Sequence, residues 1–500
     1  MCTLHHPFRY PFRPFPALCL LAVFLAVASG CSSRVSTDAI RSEIASGSLQ
    51  ALEEELQEAH EDHSEFVTAC NLARVYQLSG RWADSIRLFN EALVILEEYE
   101  SRAEISVRAI LASAGTILFS RGADEYYGVG YERSLIHTFN ALNYLMLGDF
   151  SGAAVEMRRM DKRQEIWLEE SQARIEKYLE TKRRLDSPDN LPVGYSMRDL
   201  LRDHAVRSLI NNYQDPFSYS LGAVLYRLAG DAQAADVSMR RAMALNDDAE
   251  RLFAAAWPGK ATSRPRKESL PAVPEMPRPY ALMDETTPPK TRTKEHEPDT
   301  QEVTVIAFSG LVPALRVENV RMAFPAIGYI LVDLPAYARP VFGAKPMVSI
   351  ADGREDGGTT LELHPLLRTD LLAYRTLWDE VSMELTFAIS RAVTRAGVSA
   401  TTYAAARSNK DTREYASLIS TLTTILMDIF ASSMAESVRN WETLPNTGYL
   451  ALTAVARGST VTVSVGGDRA SVHLPHDARG VIILATELSN SNVKVNHVTY

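Results

Sequence analysis

Tyr131-Glu132-Arg133-Ser134-Leu135 runs into Ala141-Leu142-Asn143-Tyr144-Leu145 and then Gly148-Asp149-Phe150. The apolar residues of this stretch fall three and four apart, the helical period, until Gly148 interrupts them. The order alanine, aromatic, glycine, aromatic (Ala141, Tyr144, Gly148, Phe150, then Ala153) occurs elsewhere in the chain. Ala73, Tyr76, Gly80, Trp82, Phe89 and Ala92 have it, and Ala223, Tyr226, Gly230, Ala235 and Ala242 have most of it. Each type has a packing reason. Alanines let two antiparallel helices approach, glycine takes the left-handed turn between them, and aromatics fill the gap to the next pair.

The glycines give the period. Gly80 to Gly148 is 68 residues, twice the 34-residue period of tetratricopeptide (TPR) repeats, which the pattern resembles. Gly148 to Gly230 is 82 residues, leaving room for a charged helical stretch at 164–186 and a further helix near 197–212. The proline that usually closes such a repeat is replaced by Glu97, Glu165 and Asp247. Ser85, Met157 and Met160 stand where alanines are usual.

Trp257-Pro258-Gly259 ends the helical pattern. A stretch rich in Pro, Lys and Thr follows to 301, with Pro265, Pro271, Pro274, Pro277, Pro279, Pro288, Pro289 and Pro298. With so few aliphatics it reads as an exposed linker. Beyond it, 303–308, 316–324, 327–334 and 347–350 read as strands, 366–396 and 412–439 as amphipathic helices, and 449–456, 460–465, 470–474 and 480–487 as short closing strands. The fold expected is α+β: an N-terminal α-helical TPR-like repeat domain (37–256), a Pro-rich linker (257–301) and a mixed α/β C-terminal domain (302–500), a β-sandwich or curved sheet covered by a helical pair.

The N-terminus carries Arg9 and Arg13, an apolar run at 17–28, and Ser29-Gly30 before Cys31. This is the layout of a bacterial secretory signal. The run is about twelve residues, short of the roughly 20 that span a membrane. Ala28-Ser29-Gly30-Cys31 resembles the lipobox of bacterial lipoproteins, with Ala28 in place of the usual leucine. The resemblance implies a signal peptide at 1–30, acylation of Cys31 and a lipidated tether at 31–36. Ser32, with no Asp after the cysteine, resembles lipoproteins sorted to the outer membrane. The segment at 418–431 is about fourteen residues long and contains Asp428, which favours a buried helix over a membrane span.

Losing Arg9 and Arg13 leaves 50 basic against 62 acidic residues, a mature net charge of −12. Nucleic acid is therefore not an expected partner, since phosphate binding needs clustered Lys and Arg. Cys70 is the one thiol left after processing and acylation, so no internal disulfide is available.

Together with Asp215-Pro216-Phe217, Gly310-Leu311-Val312-Pro313 and Arg439-Asn440-Trp441-Glu442-Thr443-Leu444-Pro445, the opening stretch is similar to a family of bacterial TPR-containing outer-membrane lipoproteins without an assigned activity. The resemblance implies architecture and location more than chemistry.

Catalytic and metal patterns are poorly represented. His60 and His63 lie three apart on an acidic helix, two ligands without a third. Gly128-Val129-Gly130 precedes a helix, but Arg133 stands where a dinucleotide loop needs its last glycine. Neither a Gly-x-Ser-x-Gly elbow nor a His-Glu-x-x-His helix occurs. Cys70 reads as a small buried apolar residue.

The expected function is thus a membrane-tethered periplasmic scaffold for protein–protein interaction in cell-envelope assembly or maintenance, with no enzymatic activity, cofactor or metal. Its partners would be the membrane, through the lipid, and an envelope protein or peptide. Lining the concave face of the repeats, the TPR alignment puts Arg74, Gln77, Thr138, Leu142, Ser220 and Arg227 forward as partner-binding residues. The competing readings are an export or assembly factor that oligomerises through its C-terminal half, and an envelope hydrolase or transferase.

Overall fold

A computed structural model describes residues 35–106, 126–164, 194–257, 300–324, 328–339, 343–351, 359–379, 439–465, 467–489 and 492–500. It is a mixed α/β structure, helical in the N-terminal half and built on sheets in the C-terminal half. The helices are α1 (Thr37–Ser46), α2 (Leu49–Asp62), α3 (Phe66–Ser79), α4 (Trp82–Ser106), α5 (Gly130–Met146), α6 (150–164), α7 (Pro216–Leu228), α8 (Ala232–Leu245) and α9 (Asp247–Ala256).

Three hairpins, α3–α4, α5–α6 and α7–α8, turn in the same way. Gly80, Gly148 and Gly230 have φ of 81°, 76° and 83°. After each, the next residue's N–H returns to the tyrosine four before the glycine: Arg81 to Tyr76 O, Asp149 to Tyr144 O and Asp231 to Tyr226 O, at 2.8 to 2.9 Å. This is the left-handed C-cap that glycine adopts without a Cβ penalty. Asp215 caps α7 by accepting from Ser218 N at 2.7 Å, with Pro216 in the first turn.

The sheet half has three parts. The central sheet has the order β11 (Asn492–Thr499), β10 (Gly480–Ser489), β1 (Thr300–Ser309), β7 (Thr447–Ala456), β6 (His364–Arg368). Only the β1–β10 pair in it is parallel. A second sheet has the order β5 (Thr359–Leu361), β4 (Met347–Ala351), β8 (Thr460–Val465), β9 (Asp468–His473). A two-stranded ribbon joins β2 (Leu315–Phe324) to β3 (Gly328–Tyr337).

Alternation along the strands places these parts. Val303, Val305 and Ala307 of β1 face Val348, Val461 and Val463 of the second sheet across a shared core, so the two sheets form a sandwich. Ile306 and Phe308 point the other way, as do Leu450, Ile482 and Leu484, into the core formed by the helices. Strand β1 is buried on both faces, which is why Val305-Ile306-Ala307-Phe308 reads as an unbroken apolar run. A smaller core joins the β2–β3 ribbon (Val320, Val332, Leu334) to Tyr195, Leu201, Tyr374 and Leu377.

Several expected elements differ. The residues near 197–212 form turns, a 3₁₀ segment at Leu200–Arg202 and one helical turn at His204–Arg207, because Asp203 and Asn211 cap their own backbone and cut the helix short. Residues 366–368 belong to β6, and the helix there begins at 369. Strands β5 and β11 were not expected. The linker at 258–299, most of the segment at 366–396, and 412–438 lie outside the described residues, as does 418–431.

Candidate functional site at the seam between helices and sheet

The helices and the central sheet meet across a polar seam, and one short segment fills it. Residues 439–446 run into β7 along the inner faces of α3 and α5. Side chains hold the backbone of this segment. Trp441 N–H donates to Glu132 Oε1 at 2.8 Å, and Thr443 N–H donates to Asn71 Oδ1 at 3.1 Å. Tyr131 OH meets Asn440 Oδ1 at 3.2 Å, while Asn440 Nδ2 donates to Pro313 O at 3.1 Å. Ion pairs fix it at its start and middle: Arg439 with Glu65 at 3.0 Å, and Glu442 with Arg41 at 2.9 Å.

Trp441 is the anchor. It is fully buried, edge-on to Phe89 at 5.7 Å and to Phe139 at 5.8 Å, and its indole N–H donates to Thr443 Oγ1 at 3.0 Å. A segment with a turn at 442–444, held through its backbone with one aromatic sunk between helices, takes the place a bound peptide would occupy against the helices. Here the segment is the chain's own.

That arrangement decides the fate of the six residues expected to line a free groove. Arg74, Gln77, Thr138, Leu142 and Ser220 are all buried. Their contacts are internal: Gln77 Nε2 donates to Phe139 O at 2.8 Å and to Asn143 Oδ1 at 2.7 Å, and Thr138 Oγ1 meets Ser218 Oγ at 2.7 Å. Leu142 belongs to the shared apolar core. Arg227 alone is exposed, and it bridges the two halves through Glu302 at 2.5 Å while lying over Trp257 at 5.1 Å. These positions therefore do not line an open groove: the inner face of the helices packs on itself and against β1, where Arg74 meets Phe308 and Leu142 joins the shared core. Cys31 lies outside the described residues.

The seam carries perturbed groups. Burial pushes the Glu132 carboxyl up, against the Tyr126 hydroxyl and the Trp441 and Val129 N–H groups that favour its charge. Glu442 is pushed up to about 7 by burial, with Arg41 opposing. Asp215 rises to about 6 for the same reason, opposed by its bonds to Ser218. Between α5 and α6, His137 Nδ1 meets Glu156 Oε2 at 2.8 Å, and burial lowers the imidazole against the pull of Glu156. Clusters of perturbed groups mark functional sites in some proteins and structural networks in others. Here most partners are backbone groups and ion-pair mates, which organise packing.

His60 meets Glu91 at 3.0 Å and His63 faces Glu65 at 3.7 Å, so the two histidines do not converge. Among the described residues no group of three or more His, Cys, Asp or Glu is placed to hold a metal. Cys70 is fully buried, and burial pushes its thiol up, away from nucleophilic character. Gly128, with φ of 78°, turns the chain into α5 and packs on Phe66. Asn71 was not singled out from sequence, and Glu132 and Glu442 enter there only as members of the quoted stretches, with no role. The available signal was Glu132 at the third position of the helix, within the stretch Tyr131-Glu132-Arg133-Ser134-Leu135. Comparison with family models, with curated proteins and with solved structures returns no match for this chain.

Proposed function

We propose that this chain is an outer-membrane lipoprotein, anchored through Cys31 and facing the periplasm, that serves as a non-enzymatic scaffold in the cell envelope. Its helical half is read as a TPR-like array. The observation that carries this reading is the identical turn at Gly80, Gly148 and Gly230, each preceded by its tyrosine and followed by an antiparallel helix. Regular hairpins of this kind build extended recognition surfaces. The location rests on the signal layout ending at Cys31.

With the concave face filled, a partner protein meets the outer faces of the second helices. Val155 and Val237 each lie seven residues past a turn glycine, and Val94 lies fourteen past Gly80; all three are exposed. The scaffold is tested by placing a photo-crosslinker at Val94, Val155 and Val237 in intact cells, with Leu142 as the buried control. Capture of one envelope protein from the valine positions and not from Leu142 supports it. No capture at any of the three refutes it. Anchoring is tested by Cys31→Ala, expected to abolish lipid labelling and move the protein into the soluble fraction. Unchanged membrane partition would contradict it.

A further inference from the structure

Arg74 is a cation of the seam that packing does not explain. It sits on α3 with 3% of its surface exposed, and its guanidinium lies over the ring of Phe139 at 4.6 Å and near that of Phe308 at 5.9 Å. Nη1 donates to Gln77 Oε1. Nε donates to nothing, and no bond of Nη2 joins it to any described residue. The polar groups joined to it among the described residues are all neutral. Gln77 is tied to Asn143, Asn143 Nδ2 donates to Ser85 Oγ at 2.8 Å, and Ser85 Oγ donates to Ala73 O at 2.7 Å. No carboxylate among the described residues pairs with the guanidinium. Burial alone acts on it, pushing it down to about 9 with no acid to oppose that.

A buried cation without a counter-charge is costly, and proteins seldom keep one unless something pairs with it. The unused edge, Nε–H with Nη2–H, is the side-on fork that matches the two oxygens of a carboxylate. The walls beside it are aromatic, and a single positive charge suits a monoanion better than a phosphate dianion.

We propose that Arg74 is the anchor of a ligand site between α3 and β1 that takes an organic carboxylate with an apolar body. The carboxylate receives both N–H groups of the fork, and the apolar body lies along Phe139 and Phe308. Because the site is enclosed by both halves, exchange of the ligand requires them to part, so the bound form dissociates slowly and is thermally stabilised. This site does not depend on anchoring at Cys31 or on any partner protein.

The test uses the full mature chain, freed of bound small molecules by unfolding and refolding, and follows thermal unfolding with octanoate, benzoate, inorganic phosphate or chloride at matched ionic strength. Octanoate or benzoate should raise Tm progressively with concentration, by at least about 3 °C near saturation, while phosphate and chloride leave it unchanged. Arg74→Met keeps an unbranched apolar stem and removes the guanidinium and its charge. Ligand-free Arg74→Met should unfold at or above the wild-type Tm, because an unpaired buried charge has gone, and should show no response to octanoate or benzoate. Arg74→Lys, which keeps the charge without the fork, should respond more weakly than wild type. A wild-type response to carboxylates no larger than that to chloride would overturn the proposal. So would an Arg74→Met protein that is less stable than wild type yet keeps the full carboxylate response.

Discussion

Replacing Trp441 by alanine should destabilise the helices and the sheets together. The side chain is fully buried and makes edge-on contacts with Phe89 on α4 and Phe139 on α5, so its removal opens a cavity inside the helical layer although the residue belongs to the C-terminal half. Large-to-small substitutions of buried aromatics cost about 3–5 kcal/mol. Each aromatic pair contributes roughly 0.5–1.5 kcal/mol beyond burial, and the lost indole bond leaves Thr443 Oγ1 without its donor. The expected cost is at the top of the range, about 5 kcal/mol. That is a large share of the 5–15 kcal/mol that typically separates folded from unfolded chains. Urea unfolding of the mature chain, followed by helical far-ultraviolet circular dichroism and by tyrosine fluorescence, should show both signals moving to lower urea by the same amount. Val94→Ala, on an exposed face, is the control and should stay within about 0.5 kcal/mol of wild type. A loss below about 1 kcal/mol, or a helical transition that stays in place while another signal moves, would refute the shared-core reasoning.

Two further outcomes rest on the structure and a third on the sequence. Glu442 holds its proton more tightly when folded, up to about 7, against an unfolded value of about 4.3. Its favourable contribution is therefore complete below the unfolded value and lost as pH rises through the folded one. Relative to Glu442→Gln, which has no such titration, the wild-type chain should gain on the order of 2–3 kcal/mol between pH 8 and pH 5 in chemical denaturation; a pH-independent difference would contradict the burial of this carboxylate. Gly148→Val should cost on the order of 1–3 kcal/mol, because φ is 76° and nothing lies within 4 Å of an added Cβ, so the penalty is backbone strain alone. An unchanged Tm would mean that Gly148 does not hold that turn. Cys31→Ala should release the protein from the membrane, as fractionation would show.

The helical hairpins were legible because their signals are local. Glycine at a left-handed turn, alanine at a close approach and a 3.6-residue period are all written within about thirty residues. Most strands were legible too, through β-branched runs such as Thr460-Val461-Thr462-Val463. The covering of the groove was not legible. Whether Arg74 faces solvent or Phe308 depends on a strand more than 220 residues away, Thr300–Ser309, whose docking no local pattern encodes. Pro365 and the short β6 were hidden because their apolar residues run straight into a helix beginning at 369. Strand β11, Asn492–Thr499, carries alternating polar residues and reads as a tail until its partner β10 is known. Glu132 was overlooked for a related reason: a lone carboxylate acquires meaning only when the Trp441 N–H arrives from the other half.

Backbone hydrogen exchange in residues 439–446 shows whether the helices are closed by the chain's own segment. The Trp441 and Thr443 N–H groups are bonded to the Glu132 and Asn71 side chains inside the seam. A peptide covering this segment should exchange only by global unfolding, as slowly as one from β1. Glu132→Gln should accelerate both peptides equally. Exchange of 439–446 at the rate of an exposed loop, with β1 still protected, would mean that the segment leaves the groove in the folded protein and would contradict the account.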